Sequence, residues 1–241
     1  MRITCAITVL LLSYASFAHG EETPWQKVGI PDPLNVLFWV FAISAFVIAA
    51  SVYYKDHIGM RAKKLAFICI AAPIMLGVIY LAGTTIYLNI KSVTGGPVHW
   101  HADYEVWACG RSYELMDPEY LSNKVGSEAV HEHNDNRMHV EGIIFSMEDA
   151  SIGEFFEAVG GEMAGGSLSL PTPEGIKEWK DGNFCSGMPA KWYMFVNSVE
   201  SNEWGGHIIA PYPDVPPGDR IKLVFTEKPA QQISAGQFEV P

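Results

Sequence analysis

The sequence predicts an α+β exported domain that is attached to a transmembrane hairpin of two helices. Three observations lead to this fold class: two long runs without a charged residue, a strictly alternating stretch from Val98, and one capped amphipathic helix after Ser151. The alternating stretch has the two-residue period of a β-strand, whereas the residues after Ser151 follow the 3.6-residue period of an α-helix. The element order favours a mixed or antiparallel sheet with one main helix, and a β-grasp-like arrangement fits that order.

Residues 1–18 are predicted to be a cleaved signal peptide. Arg2 provides the positive charge that precedes a short apolar core, and Ala18 is a small residue suited to the cleavage point. Cleavage after Gly20 is the alternative. Cleavage after Ala18 would make His19 the first residue of the mature chain, and its amino group and imidazole could then bind one copper ion together. Residues 19–33 are predicted to form a short external segment.

Two apolar runs predict membrane-spanning helices at residues 34–54 and 65–90. Each run is long enough to cross the hydrocarbon core of a bilayer at 1.5 Å per residue. The loop between them, residues 55–64, carries four Lys and Arg residues against one Asp, and such an excess of positive charge favours the cytoplasmic side. We therefore expect a protein that crosses the cell membrane twice, with the lipid bilayer as a partner. Its N-terminus and residues 91–228 would be extracytoplasmic, in the periplasm or outside the cell.

The region after residue 90 is acidic. It contains 10 Lys and Arg residues against 23 Asp and Glu residues, in a chain whose formal net charge is −11. An acidic domain repels the phosphates of nucleic acids, so nucleic-acid binding is excluded.

Within residues 91–228 the hydrophobic pattern predicts five main elements. They are strands at 98–109, 139–145, 192–199 and 220–226, and a helix for which Ser151 is the N-cap. Residues 165–187 are rich in Gly and Pro and are predicted to be irregular. Residues 229–241 are polar and are predicted to form a flexible tail.

Two cysteines of the exported region, Cys109 and Cys185, are predicted to form a disulfide. An oxidising compartment and an even number of cysteines favour this pairing, which would contribute about 4 kcal/mol to stability. The alternative is that Cys109 is a thiolate ligand for copper, since the alternation places it on the same strand face as the nearby histidines.

The candidate chemistry of this chain lies in two clusters of histidines. His99 and His101 are two residues apart on the first predicted strand, so both side chains leave the same face, and Asp103 continues this row. Asp103 could bind a metal ion or orient a histidine that does so. The second cluster consists of His131, His133 and His139, which bracket a turn-forming Asn-Asp-Asn stretch. The length of this turn decides whether the two clusters share a face. Imidazole-rich ligation favours copper or zinc.

These motifs resemble an uncharacterised family of prokaryotic exported or membrane-anchored proteins. The resemblance is carried by the H-x-H-A-[DH]-[FY] strand at residues 99–104, the His-rich segment at 131–139 and the helix at 151–156. It extends over much of residues 98–226. The resemblance implies a shared domain and does not assign an activity.

Three functions are compatible with these patterns. The preferred one is a membrane-anchored, outward-facing domain that binds copper or zinc, as a metal-handling protein or as an accessory subunit of a membrane metalloenzyme complex. The second is a structural subunit of a membrane complex, in which the histidines make only hydrogen bonds. The third is a zinc-dependent hydrolase or hydratase, with Glu132 or Glu141 as general base. Whether the protein is an enzyme stays open, because no known nucleophile or phosphate-binding motif occurs in the sequence.

Overall fold

The structure is a computed structural model, and it describes residues 23–118, 122–211 and 218–235. The predicted signal peptide, its cleavage point and His19 lie outside the described residues, as does the end of the predicted tail. The described chain divides into two compact units, one that ends at Gly77 and one that begins at Val78.

The N-terminal region contains three helices, α1 (Pro24–Lys27), α2 (Pro33–Tyr53) and α3 (Met60–Lys91). Both α2 and α3 are long and apolar enough to cross a membrane. The Asp32 side chain caps α2 by accepting a hydrogen bond from the Leu34 amide. The helix α3 begins before the second apolar run does, so the connection between the two helices is shorter than the predicted loop at 55–64.

The rest of the chain is built mainly from β-strands. In chain order they are β1 (Val98–Ala108), β2 (Arg111–Tyr113), β3 (Val125–Gly126), β4 (Val130–Glu132), β5 (Arg137–Gly142), β6 (Glu162–Ala164), β7 (Ser167–Thr172), β8 (Gly175–Lys180), β9 (Phe184–Cys185), β10 (Met188–Pro189), β11 (Lys191–Val196), β12 (Val199–Ser201) and β13 (Gly218–Thr226). One further α-helix, α4 (Ile152–Ala158), lies between β5 and β6, and short 3₁₀ turns occur at Met147–Ala150, Trp204–Gly206 and Ala230–Gln232.

Eight of these strands form one mixed sheet. Its order is β12-β11-β13-β1-β5-β4-β3, with β2 paired to the end of β1. The central strands β1 and β13 are parallel, and the other neighbours are antiparallel. The first strand is therefore central, and it presents its two faces to different environments.

One face of β1 carries the hydrophobic core. Ala102, Tyr104 and Val106 are almost completely buried, as the alternation predicted. Ser151 caps α4 by accepting a hydrogen bond from the Glu154 amide, and the helix buries Phe155, whose ring contacts that of Tyr104. The histidines of β1 lie on the opposite face of the sheet.

The prediction of an irregular segment at 165–187 was wrong. Strands β6, β7 and β8 form an antiparallel sheet there, and β9 pairs with β10. Two glycines stand at the hairpin turns: Gly166, with a φ of 75°, lies between β6 and β7, and Gly175, with a φ of 103°, begins β8 directly after the next turn. Leu168 and Leu170 alternate into the core, a short signal that the surrounding glycines obscured.

Cys109 and Cys185 form a disulfide. The alternation had placed Cys109 on the histidine face, but β1 ends at Ala108 and Cys109 has a φ of 51°. This left-handed conformation breaks the two-residue period, and the sulfur bonds to Cys185, which is buried in the core. The alternative role of Cys109 as a metal ligand is therefore wrong.

Candidate metal centre

The histidines of both clusters lie on one face of three neighbouring strands. In the pairing of β1 with β5, His101 lies opposite His139, and in the pairing of β5 with β4, His139 lies opposite His131. Directly opposite residues of paired strands point to the same face, so these three imidazoles form a row across the sheet. His99 lies two residues before His101, and His133 lies two residues after His131. Their rings contact those of His101 and His131, so both belong to the same face.

The turn between β4 and β5 decides this register. Asn134 and Asn136 adopt left-handed φ values of 64° and 55°, which Asn tolerates better than most residues. Glu132 points to the opposite side of the strand from the histidines, and its carboxylate accepts hydrogen bonds from the amides of Asp135 and Asn136 at 2.6 and 3.0 Å. Glu132 therefore stabilises the turn, and its carboxylate binds the turn amides on the side of the strand opposite the histidines.

Two overlapping groups of side chains could hold a metal ion. We call the first the buried group, and it consists of His131, His133, His139 and Glu141. We call the second the outer group, and it consists of His99, His101 and His139. Within each group, one potential ligand atom from every residue lies within 4.8 Å of the others. His139 belongs to both groups, so the two sequence clusters meet at this residue.

Hydrogen bonds prepare two histidines of the buried group as ligands. The Nδ1 atom of His133 lies 2.6 Å from the Asn123 carbonyl oxygen, and Nε2 of His139 lies 3.3 Å from a carboxylate oxygen of Asp135. Because both partners are acceptors, these nitrogens carry the protons. The opposite nitrogens, Nε2 of His133 and Nδ1 of His139, then keep their lone pairs for a metal ion.

Two buried nitrogens of this group have no hydrogen-bond partner among the described residues. They are Nδ1 of His131 and Nδ1 of His139. Buried polar atoms without partners are rare in folded proteins, because the lost hydration costs free energy. A metal ion bound at these atoms would remove that cost.

Burial keeps the central imidazoles neutral. It lowers the pKa of His131 from 6.5 to about 4, and the positive charge of Lys124 acts in the same direction. Burial is also the largest cause of the lowered pKa of His139 and of His101, and the pKa of His101 is lowered further by its neighbours His139 and His99. Neutral imidazole is the form that binds metal ions, so these residues are ready for binding at neutral pH.

Glu141 is a member of the buried group and also faces the outer group. One of its carboxylate oxygens is 3.3 Å from Nε2 of His99, and the other is 3.9 Å from Nε2 of His131. The sequence had presented Glu141 only as a candidate general base. Its position two residues after His139 on the same strand was the signal that it shares the histidine face.

Asp103 lies outside both groups. Its carboxylate accepts a 2.8 Å hydrogen bond from Nε of Arg137, the residue opposite it on β5. This charged pair connects β1 and β5 next to the histidine row. Asp103 therefore helps to hold together the two strands that carry His101 and His139.

His207 takes part in a separate polar network. Its Nδ1 lies 2.7 Å from Glu203, and its Nε2 lies 2.9 Å from Asp219, whose other oxygen accepts a hydrogen bond from Asn197. The hydrogen bond to Asp219 is the main cause that raises the pKa of His207. The sequence had suggested no role for this histidine, because the partner that raises its pKa most, Asp219, lies on the separate strand β13.

No protein-family model, curated protein or solved structure matches this chain. The functional conclusion therefore depends on the chemistry of the site itself. Three imidazoles and one carboxylate lie close enough together that they could hold a metal ion.

Proposed function

We propose that the exported domain binds a copper or zinc ion through the buried group. The observation that carries this proposal is the pair of buried Nδ1 atoms, on His131 and His139, that lack a hydrogen-bond partner among the described residues. Histidines that served only to connect strands would direct these atoms to acceptors or donors. A metal ion bound through either of these nitrogens would give that nitrogen a partner, in a place where burial lowers the pKa of both imidazoles.

The ligand types support zinc or divalent copper. Three imidazoles and one carboxylate make a four-residue set, which suits the tetrahedral coordination of Zn²⁺ and is also acceptable to Cu²⁺. Monovalent copper prefers the sulfur of Cys or Met, and neither group contains a sulfur atom.

The two alternative functions receive less support. In a structural subunit the histidine row would make hydrogen bonds only, and the unpartnered nitrogens of His131 and His139 count against that arrangement. For a zinc hydrolase, Glu132 faces away from the histidines and is occupied by the turn amides. Glu141 belongs to the buried group, so as a metal ligand it would no longer be available as a general base.

The rest of the chain supports a membrane-anchored role. In this proposal α2 and α3 cross the lipid bilayer, and the positive residues between the two apolar runs stay in the cytoplasm. The site then faces the extracytoplasmic side, as in a metal-handling protein or an accessory subunit of a membrane metalloenzyme complex. The order β5-β1-β13-β11, with β1 and β13 parallel and α4 following β5, supports a β-grasp-like core.

Metal analysis of the full chain tests this function. The protein is purified in mild detergent, freed of metal with a chelator, and dialysed separately against Zn²⁺ and Cu²⁺ before elemental analysis. We expect one ion per chain. His131→Ala should weaken the affinity at least about 100-fold, since even residues that only orient a metal ligand contribute 10–100-fold.

The exposed His57, in the connection between α2 and α3, provides the control, and His57→Ala should leave the affinity unchanged. A wild-type chain that retains neither metal would contradict the proposal. N-terminal sequencing of the same preparation shows whether cleavage leaves His19 as a further copper ligand.

A further inference from the structure

We infer that the outer group is the entrance to the buried group, and that a metal ion passes between them by exchanging ligands around His139 and Glu141. The domain would then transfer metal ions instead of storing them. This inference rests on the proposed function, since the buried group must bind the ion for a transfer to occur.

Two side chains connect the outer group with the buried group. His139 is a member of both. Glu141 faces both, because one carboxylate oxygen lies 3.3 Å from His99 and the other lies 3.9 Å from His131. An ion held at either position can therefore keep contact with the same imidazole and the same carboxylate while its other ligands change.

The exposure of the side chains decreases steadily along this route. The side chain of His99 is 62% exposed, that of Glu141 is 37% exposed and that of His131 is 2% exposed. An ion in solution reaches His99 directly, whereas the fold blocks access to His131. The route between them runs along one face of the sheet, across β1, β5 and β4.

Ligand exchange along this row needs no electron transfer. The bonds from the metal to His99 and His101 break as bonds to His131 and His133 form, and the ion keeps its charge throughout. His99 and His101 are left as free side chains, and any proton that a histidine gives up on binding the ion is released to water. Each step keeps protein ligands on the ion, so a bare ion never has to cross the apolar surroundings.

The close spacing of the groups favours one ion at a time. Two dications that shared His139 would lie a few ångströms apart, and at that distance they repel strongly even when water screens the charges. The outer group also contains three imidazoles and no carboxylate, and its His99 is exposed to solvent. The ion should therefore rest in the buried group and visit the outer group during exchange.

Rates and affinities measured together test this route. The full chain in detergent micelles is loaded with Zn²⁺, and an excess of a chromophoric chelator then withdraws the ion while absorbance reports the rate. In the double variant His99→Ala/His101→Ala we expect withdrawal and loading of the ion both to slow by at least about tenfold. Association rates among mutants of one binding surface vary over a range of this size. The dissociation constant should change by less than about threefold, because an entrance lowers the barrier equally in both directions.

Two further variants complete the design. The single variant His99→Ala changes a largely exposed side chain, so it keeps the test informative if the double variant folds poorly. His57→Ala removes an exposed histidine far along the sequence and should change neither rate nor affinity.

Three results would overturn the inference. One is an unchanged withdrawal rate in the double variant. Another is a loss of affinity in the double variant as large as that in His131→Ala, which would show that all five histidines form one site. The third is the binding of two Zn²⁺ ions per chain at saturation. Each of these leaves the proposed function intact, whereas a wild-type chain that binds neither Zn²⁺ nor Cu²⁺ defeats the proposed function as well.

Discussion

Acidification should destabilise the metal-free β-sheet domain through His131. Burial lowers the pKa of this imidazole from 6.5 to about 4. The unfolded chain therefore takes up a proton near pH 6.5, whereas the native chain takes it up only near pH 4. The contribution to stability is complete above pH 6.5 and is lost progressively as the pH falls from 6.5 towards 4. At pH 5 the expected loss is about 2 kcal/mol, from about 1.36 kcal/mol per unit of pKa difference.

Urea unfolding of the metal-free full chain in detergent micelles measures this loss. Near-ultraviolet circular dichroism follows the aromatic residues of the core at pH 7.5 and at pH 5.0. The free energy of unfolding of the wild type should fall by about 2 kcal/mol more than that of His131→Asn, which has no imidazole to protonate. Some decline should remain in the variant, because the pKa values of His101 and His139 are lowered as well.

His57→Asn is the control for the loss of a histidine outside the β-sheet domain, and its pH dependence should equal that of the wild type. If His131→Asn loses as much stability on acidification as the wild type does, the imidazole of His131 is not held neutral by burial. The reasoning about the buried group would then be refuted, whatever the affinity for metal.

Two further predictions concern residues that support the sheet. In His207→Asn the melting temperature should fall more at pH 6 than at pH 8.5. The hydrogen bond to Asp219 raises the pKa of His207 above 6.5. The protonated His207 therefore stabilises the native chain fully below pH 6.5, and this contribution is lost as the pH rises through the raised pKa. Gly126→Ala should destabilise the domain by about 3 kcal/mol and weaken Zn²⁺ binding. Gly126 has a φ of 118°, which is strained for Ala. A Cβ there would also lie 2.6 Å from the Val130 carbonyl oxygen and 2.9 Å from Cα of His131. Thermal melting and Zn²⁺ titration measure these effects.

Gly175→Ala is the matched control for Gly126→Ala. Gly175 has a φ of 103°, and a Cβ there would have no atom within 4 Å, so the substitution carries only the backbone cost of about 1 kcal/mol. Equal destabilisation by the two substitutions would contradict the expected clash with β4. Equal melting shifts of His207→Asn at both pH values would contradict a protonated His207 in the native chain.

Local patterns in the sequence were sufficient for several parts of the structure. The absence of charge over twenty residues predicts a long apolar helix, and the two-residue alternation of β1 predicts which residues enter the core. The cap at Ser151 predicts where α4 begins. These features depend on neighbouring residues only, so the sequence alone determined them.

Segments in which short strands alternate with glycines were harder to predict. The sheet of β6, β7 and β8 has strands of three to six residues, and its turn glycines resemble those of an irregular loop. Cys109 shows the same limit: this one residue has a left-handed conformation, and its sulfur bonds to the buried Cys185 instead of joining the histidine face. A local pattern predicts a face only while the regular backbone continues.

Two properties of the candidate site follow from residue types and local spacing: five histidines could bind a metal ion, and His99 and His101 share a face. Three others required the folded chain: the two clusters meet at His139, Glu141 faces both groups, and His131 is buried. These three depend on strand register, which a turn and the pairing of distant strands set together. A shift of one residue would turn the histidines of β4 or β5 to the opposite face and separate the two groups.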